Sequence, residues 1–398
     1  MKSFDTLKKQ VLSFLSARNT GRTGEYTMCE EGEVTLYSSC FAVMTLHYLG
    51  ELSSCGDVML RSWADYINTW QDPETGYFLG PEIKTEELTS PKHDYEHIAM
   101  HLTAHALPAL DLLGSRPAHP LRFAKDFLHL PYLREWLDRR DWTDAWLEGN
   151  NLLFVGQFLI HLRDVEQMEE GKAAIRFLLQ WLNSRVDPRT GLWGTDGYCT
   201  PFVAMCGGYH QLLLYYYEDE DVHHKERLVD TVLSLQHPDG GFQSRGGGGA
   251  CEDVDAVDIL VNMYKRTLYR RTDTRIALRK AMRSILSCRM DDGGFVYRVG
   301  EPFVHMGIRK TRSPKDRSNL FATWFRVHTL ALIGEVLTDH PVSRVGWKFN
   351  DRCSMGWHRP WNKETHALSC RDRYGDFLRL GIAKPRRLIG KLINRISL

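Results

Sequence analysis

Hydrophobic positions along this chain fall into two alternating kinds of helical segment. In the first kind, apolar residues recur on one face. Phe4, Leu7, Val11, Leu12 and Leu15 open the series at helical spacing. Further amphipathic segments run over 56–70, 121–138, 170–184, 223–236 and 273–288. Within 170–184, Ala173, Ala174, Phe177, Leu178 and Trp181 make a stripe, while Lys172, Arg176 and Gln180 face away. In the second kind, a polar loop leads into a helix that is apolar nearly all round. These segments cover 34–50, 93–114, 146–162, 198–217, 250–264 and 318–337. A helix apolar on every side is packed on every side. The order predicts six inner helices alternating with six outer ones, closing into a ring around one cavity. The loops feeding the inner helices then form its rim. Residues 152–160 (LLFVGQFLI) would also suit a strand, but length and flanking periodicity favour helix.

Four outer segments end in related turns: QDPETGYF (71–78), VDPRTGLWG (186–194), QHPDGGF (236–242) and MDDGGFVY (290–297). Each runs Asp, Gly, aromatic. The Gly suits the left-handed conformation that stops a helix, and the Asp suits a local side-chain turn. The ring is placed to wedge between repeats. These turns resemble the degenerate repeats of the terpenoid-cyclase and protein-prenyltransferase superfamily. So does the join QHPDGGFQSRGGGGACEDVDAVDIL (236–260), and the similarity in plan covers about residues 4–338. The resemblance implies an all-α fold: an (α/α)6 toroid of six helical hairpins over 1–338, with the active site in its central cavity. Residues 339–398 are then a C-terminal extension.

Composition changes this picture little. The chain is 43% hydrophobic and 25% charged, with net charge +1. There is no global field for nucleic acid or for acidic substrates. Eleven Trp suit either an aromatic-lined cavity or a core of large side chains. Nine Cys without close pairs, and a start interrupted by Asp5, Lys8 and Lys9, point to reduced thiols and a cytoplasmic address. No apolar run approaches the ~20 residues of a membrane span.

The densest chemistry is CEDVDAVDIL. Glu252, Asp253, Asp255 and Asp258 crowd the start of one inner helix. Acidic residues in a first turn complement the helix dipole, but four exceed what capping needs. Carboxyls sharing a dry site raise one another's pKa, and a protonated carboxylic acid is what acid-initiated cyclisation requires. The resemblance implies a D-x-D-D motif followed by Thr and Ala. Aligned on Ala256, Asp253 takes the position of the proton donor and Asp255 that of the Thr, so the paired-Asp motif is not intact.

Four other constellations open inner helices. In HDYEHIAMHLTAH, His97, His101 and His105 lie on one face beside Asp94 and Glu96. Zn²⁺ ligation is one reading, but three His in line climb about 6 Å per step and do not converge on one ion. The other reading leaves His97 alone facing the cavity, as a general base or substrate partner, with the rest in the core. In WLEGNN, Glu148, Asn150 and Asn151 adjoin Trp146, one Asn serving as helix cap. TGLWGTDGYCTP brings Trp193, Asp196, Tyr198 and Cys199 to the rim. RSNLFATWF offers Arg317, Asn319 and Trp324. Catalytic candidates are thus Asp253, Asp255, Glu252, His97 and Glu148. Substrate-binding candidates are Trp193, Asp196, Tyr198, Asn150, Asn151, Asn319 and Trp324. Neither Zn²⁺ nor Mg²⁺ is supported by ligand spacing, and no cofactor is expected.

In the tail, the gaps between Cys353, His358, His366 and Cys370 match no strong metal signature. Residues 377–398 carry six Lys or Arg, no acid and an apolar face of Leu388, Ile389, Leu392, Ile393 and Ile396. Such a segment suits an anionic membrane surface, the toroid rim or a partner. Three functions are consistent with these features. One is an enzyme acting on an isoprenoid or lipid-linked substrate by acid catalysis, with inner-helix aromatics (Phe154, Phe158, Tyr215, Tyr216, Tyr264, Trp324, Phe325) as the wall. The second is a carbohydrate-active (α/α)6 hydrolase, lyase or epimerase using Glu148 with Asp253 or Asp255. The third is a non-catalytic toroid that binds a lipid or protein.

Overall fold

The computed structural model describes residues 4–88 and 90–360. Among these residues there are twelve α-helices and no β-strand, only isolated bridges in turns. The outer helices are α1 (Phe4–Arg18), α3 (Asp57–Asn68), α5 (Leu130–Asp138), α7 (Glu170–Asn183), α9 (Lys225–Ser234) and α11 (Arg271–Ser287). The inner helices are α2 (Leu36–Tyr48), α4 (Tyr95–Leu112), α6 (Ala145–Asp164), α8 (Pro201–Tyr217), α10 (Ala250–Arg266) and α12 (Leu320–Val336). Each inner helix packs on the next, and α12 packs back on α2, so the ring closes. The alternation read from the hydrophobic pattern is therefore the alternation of an (α/α)6 toroid.

Burial follows the two helix kinds. Inner α12 is buried along almost its whole length, Arg326 and His328 included. Outer α7 buries Ala174, Ile175, Leu178 and Leu182 and exposes Lys172, Arg176 and Gln180. Side-chain caps start the inner helices where the loops supply them. Thr35, Asp94, Asp144, Thr200 and Asn319 each accept from a backbone N–H of the first turn. Asp144, six residues ahead of Asn150, therefore caps α6, and both Asn residues lie inside the helix. The expected outer helix 121–138 is two pieces, a 3-10 segment over Arg122–Leu128 and then α5. Pro131 sits in the first turn of α5, where its missing N–H costs nothing, and could not continue a helix from the N-terminal side.

The four Asp–Gly–aromatic turns close as anticipated. Gly76, Gly191, Gly240 and Gly293 have φ of 88°, 73°, 102° and 91°. A side chain at Gly240 would strike the carbonyl of Lys280 on α11, so the turn also spaces neighbouring hairpins. A fifth turn, missed by pattern reading, follows α1, where Asn19 and Tyr26 bridge around Gly24. Residues 340–359 belong to the same compact unit as the ring. Tyr48 of α2 donates to the carbonyl of Gly356 at 2.8 Å, and Lys348 N–H donates to the carbonyl of Tyr48 at 3.1 Å. His366, Cys370 and the basic segment 377–398 lie outside the described residues.

Candidate active site in the central cavity

The ring encloses a cavity of about 250 Å³. α4 contributes His101 and His105, α6 Trp146, Leu147 and Asn150, α8 His210, α10 Cys251 and Asp255, and α12 Phe321 and Phe325. Two loops complete the wall. Lys92 and His93 come from the entry to α4, and Tyr297, Phe303, His305 and Met306 from the long connection between α11 and α12. Met355 reaches in from the C-terminal segment. The α11–α12 connection is held against the segment that precedes α4. Leu88 and Ile308 bridge, Arg309 forks onto Glu87 at 3.0 and 3.1 Å, and His93 Nδ1 lies 3.2 Å from the Met306 carbonyl.

Two carboxyl groups line this wall, Asp144, which caps α6, and Asp255 of α10. Asp255 is 1% exposed, and its Oδ2 has no hydrogen-bond partner. Burial, reinforced by the nearby Glu252, Asp258 and Asp253, holds its pKa well above the usual carboxylate range. This environment favours its protonated form, and the Cys206 thiol lies beside it.

Asp253 has a different fate. It is fully buried and ion-paired with Arg326 of α12, and it accepts from the Phe242 N–H at 2.9 Å. Arg326 also donates to the carbonyls of Gly248 and Tyr297 at 2.7 and 2.8 Å. These bonds fasten the glycine-rich loop, the α11–α12 connection and two inner helices together. Asp253 is not among the cavity-lining residues. Glu252 accepts from Tyr297 Oη at 2.7 Å and Arg298 at 3.0 Å, which orients Tyr297 in the wall. Asp258 is bonded to Asn262 at 3.0 Å, and burial pushes it up to about 7.

The histidine ladder reverses the expectation that His97 alone faces the cavity. His101 and His105 line it, while His97 is held behind the wall. His97 Nδ1 lies 2.7 Å from Asn151 Oδ1, Asn151 Nδ2 donates to Glu148 at 3.0 Å, and Glu148 binds Arg140 at 2.9 Å and the Asp141 N–H at 2.9 Å. Because the Asn151 amide gives its N–H to Glu148, its oxygen faces His97, whose Nδ1 must carry the proton. His97, Asn151 and Glu148 are thus brought together, as the link between α4 and α6. Burial lowers His97, His105 and His210 to about 4 and His101 and His305 well below the usual imidazole value. All five are neutral at pH 7.

Other anticipated contacts fall elsewhere. Trp193 is buried, with its indole N–H on the Leu182 carbonyl at 2.9 Å, whereas Asp196 and Tyr198 are exposed. Asn319 caps α12. Trp324 is fully buried and stacked on Phe41 at 5.0 Å. Of the inner aromatics expected to form the wall, Phe325 does so, and Phe154 and Tyr215 pack between helices. Asn150 reaches the cavity. His210, His305, Tyr297, Phe303 and Phe321 were not singled out from sequence. A His inside the apolar run YHQLLLYYY was the one visible signal. Among the described residues, no three His, Cys, Asp or Glu side chains are grouped to hold a metal ion. No described helix is long and apolar enough to cross a membrane.

The ring and its cavity have a counterpart among known families. The model of the prenyltransferase alpha-alpha toroid domain matches residues 6–122 and 124–305. The chain belongs to this family. Its fold is similar to that of the type II terpene cyclase MstE from Scytonema. A variant of that enzyme in complex with geranylgeranyl dihydroxybenzoate as substrate is 12% identical, with 84% of this chain and 98% of that chain covered and a TM-score of 0.51. A second MstE variant, with its product merosterolic acid A, is 11% identical over 84% and 97% of the two chains, also at 0.51. A Salegentibacter alpha-1,6-mannanase is 12% identical over 83% and 99%, at 0.46. No curated protein matches the sequence. At these identities the likeness to MstE shows the fold alone.

Proposed function

We propose that this toroid is an acid catalyst acting on an isoprenoid substrate, with Asp255 as proton donor. The observation that carries the reading is the unpartnered Oδ2 of a buried carboxyl in a largely aromatic chamber. A neutral carboxylic acid with a free oxygen has a proton to give and no competing acceptor. Its Oδ2 proton passes to one carbon of an alkene, the π pair forms the new C–H bond, and positive charge appears on the adjacent carbon. A second double bond of the same chain attacks that carbon, forms a C–C bond and moves the charge on. The faces of Tyr297, Phe303, Phe321 and Phe325 stabilise it through the ring quadrupole. A neutral imidazole then takes a proton from the carbon next to the cation and returns it to Asp255. The sum is a redox-neutral isomerisation. Family membership and the terpene-cyclase likeness support the same reading. At about 250 Å³ the chamber is small beside ligand pockets of ~300–1,000 Å³, which favours a short prenyl chain.

A glycan-active reading draws on Asp144 and Trp146, which share the cavity with Asp255. It is the weaker of the two, because both oxygens of Asp144 are engaged. One caps α6 at Leu147 N–H, 3.3 Å, and the other pairs with Lys92 at 3.0 Å. A second carboxylate free to act as base or nucleophile is what glycoside hydrolysis needs. The test is incubation with linear polyprenols and polyenes, followed by mass spectrometry of extracted products. Cyclised isomers from the native chain and none from Asp255→Asn are expected. Undiminished products from Asp255→Asn, or cleavage of oligosaccharides that depends on Asp144, would overturn the reading.

A further inference from the structure

The cavity has a second wall that an ordinary hydrocarbon would not need. His101, His105 and His305 cluster on one side, with ring centroids of His101 4.5 Å from His105 and 5.2 Å from His305, and His210 joins from α8. Hydrogen bonds on the far side of the rings fix what each presents. His105 Nδ1 lies 2.8 Å from the His101 carbonyl, and His210 Nδ1 lies 2.8 Å from the Cys206 carbonyl. A carbonyl only accepts, so each Nδ1 carries the ring proton and each Nε2 keeps its lone pair. The Nε2 atoms of His105 and His305 are buried without a partner.

His101 presents the opposite sense. Its Nδ1 lies 2.8 Å from Tyr37 Oη. Among the described residues His101 Nδ1 is the one acceptor within reach of the Tyr37 hydroxyl, so Tyr37 donates and His101 carries its proton on Nε2. One N–H donor thus stands beside imidazole lone pairs. A group that both donates and accepts satisfies them, whereas a hydrocarbon leaves them unpaired and desolvated. A diphosphate is a poor match as well. Among the described lining residues, Lys92 is the one with a fixed positive charge, and it is paired with Asp144.

We propose that this imidazole wall binds the free hydroxyl of a prenyl alcohol or prenylated phenol, so that the cavity selects hydroxyl-bearing isoprenoids over the matching diphosphates and hydrocarbons. The inference rests on the isoprenoid reading above and names the head group that reading leaves open. The aromatic side (Phe303, Phe321, Phe325) takes the chain, His101 and His105 take the oxygen, and Asp255 of α10 lines the same chamber.

The test is calorimetric binding of farnesol, farnesene and farnesyl diphosphate to the full chain. Farnesol is expected to bind about tenfold tighter or more than either of the others, a difference of about 1.4 kcal/mol. His105→Leu and His210→Leu, each checked by thermal melting, are expected to erase that preference. His105→Gln, which restores an acceptor, keeps part of it. Farnesene or the diphosphate binding as tightly as farnesol, a preference untouched by both Leu variants, or no binding by any of the three would overturn the proposal. Binding needs no turnover, so the readout is separate from the acid. An Asp255→Asn protein that keeps the preference supports the hydroxyl site even if its products are unchanged and the acid reading falls.

Discussion

Asp253 and Asp255 stand two residues apart and meet opposite environments. Substituting each separates the roles. If Asp255 is the proton donor proposed above, Asp255→Asn removes a general acid worth about 10²–10⁴-fold, and product formation falls by that factor while the melting temperature holds or rises. Asp253→Asn leaves the fully buried Arg326 without its charge partner, which costs about 3–5 kcal/mol and shows as a lower melting temperature or loss of soluble protein. Reversal of this pattern in kinetics and melts would exchange the two roles. The activity should also titrate. Its rate falls as pH rises through the raised pKa of Asp255, because the acid loses its proton. It falls again below about pH 4, where His105 and His210 take up protons and lose their lone pairs. The cluster of acids was legible in the sequence, but the choice among its members was not. Residues i and i+2 lie about 200° apart around a helix, so the choice depends on the rotation of α10, and Arg326 of α12 sets that rotation. A lone Arg within the apolar run LFATWFRVHTLALI was the available clue, since a buried guanidinium needs a carboxylate partner.

At the scale of elements, the tightest joint in the ring is between α6 and α8. A methyl group at Gly207 would strike the carbonyl of Ala145, and one at Gly149 would strike Gly207 itself. The two helices approach backbone to backbone there, which places Trp146, Leu147 and Asn150 against the cavity. Gly207→Ala is expected to destabilise the fold by about 1–3 kcal/mol through overpacking, although Ala is the better helix former. Chemical denaturation would show it, and an unchanged or raised midpoint would mean that the helices part without cost. The turn after α5 lacks the glycine found in the turns of the other hairpins. There the Arg140–Glu148–Asn151–His97 chain ties the hairpin to its neighbour instead. Helix kind and order were readable, because apolar periodicity reports how many sides of a helix are covered. The path of the α11–α12 connection was not. Its residues have no period, and His305 and Phe303 enter the cavity only because Leu88 and Glu87, far away in sequence, hold that segment in place.

For the whole molecule, the many buried neutral histidines make stability depend on pH. His97, His105, His161, His210 and His358 have folded pKa values lowered to about 4, against about 6.5 in the unfolded chain. Between those values the unfolded chain binds more protons, so stability is full above pH 6.5 and is lost as pH falls toward 4. Glu82, which accepts from Leu36 N–H and Tyr37 N–H at the start of α2, and Asp258 are both raised to about 7. Their sign is opposite, since their contribution is complete below about pH 4 and is lost as pH rises through 7. Asp255, Asp253 and Glu252 are raised as well, so five buried acids oppose the histidines, but His101, His305 and His328 bring the strongly lowered histidines to eight. The melting temperature is therefore expected to drop between pH 6.5 and 4.5. A flat or rising profile in scanning calorimetry would mean that these imidazoles are already charged in the folded ring.

The sequence by itself determined the twelve helices, their alternation, four of the turns that end them and the ring they close. Each of these follows from local periodicity and from backbone preferences of Gly, Pro, Asp and Asn, which need no knowledge of distant residues. Which acid is free, which imidazole nitrogen holds a lone pair and which aromatic rings form the wall were decided only by the tertiary structure. Those properties depend on desolvation and on hydrogen bonds between helices tens to hundreds of residues apart, and neither is written into the spacing of any one segment.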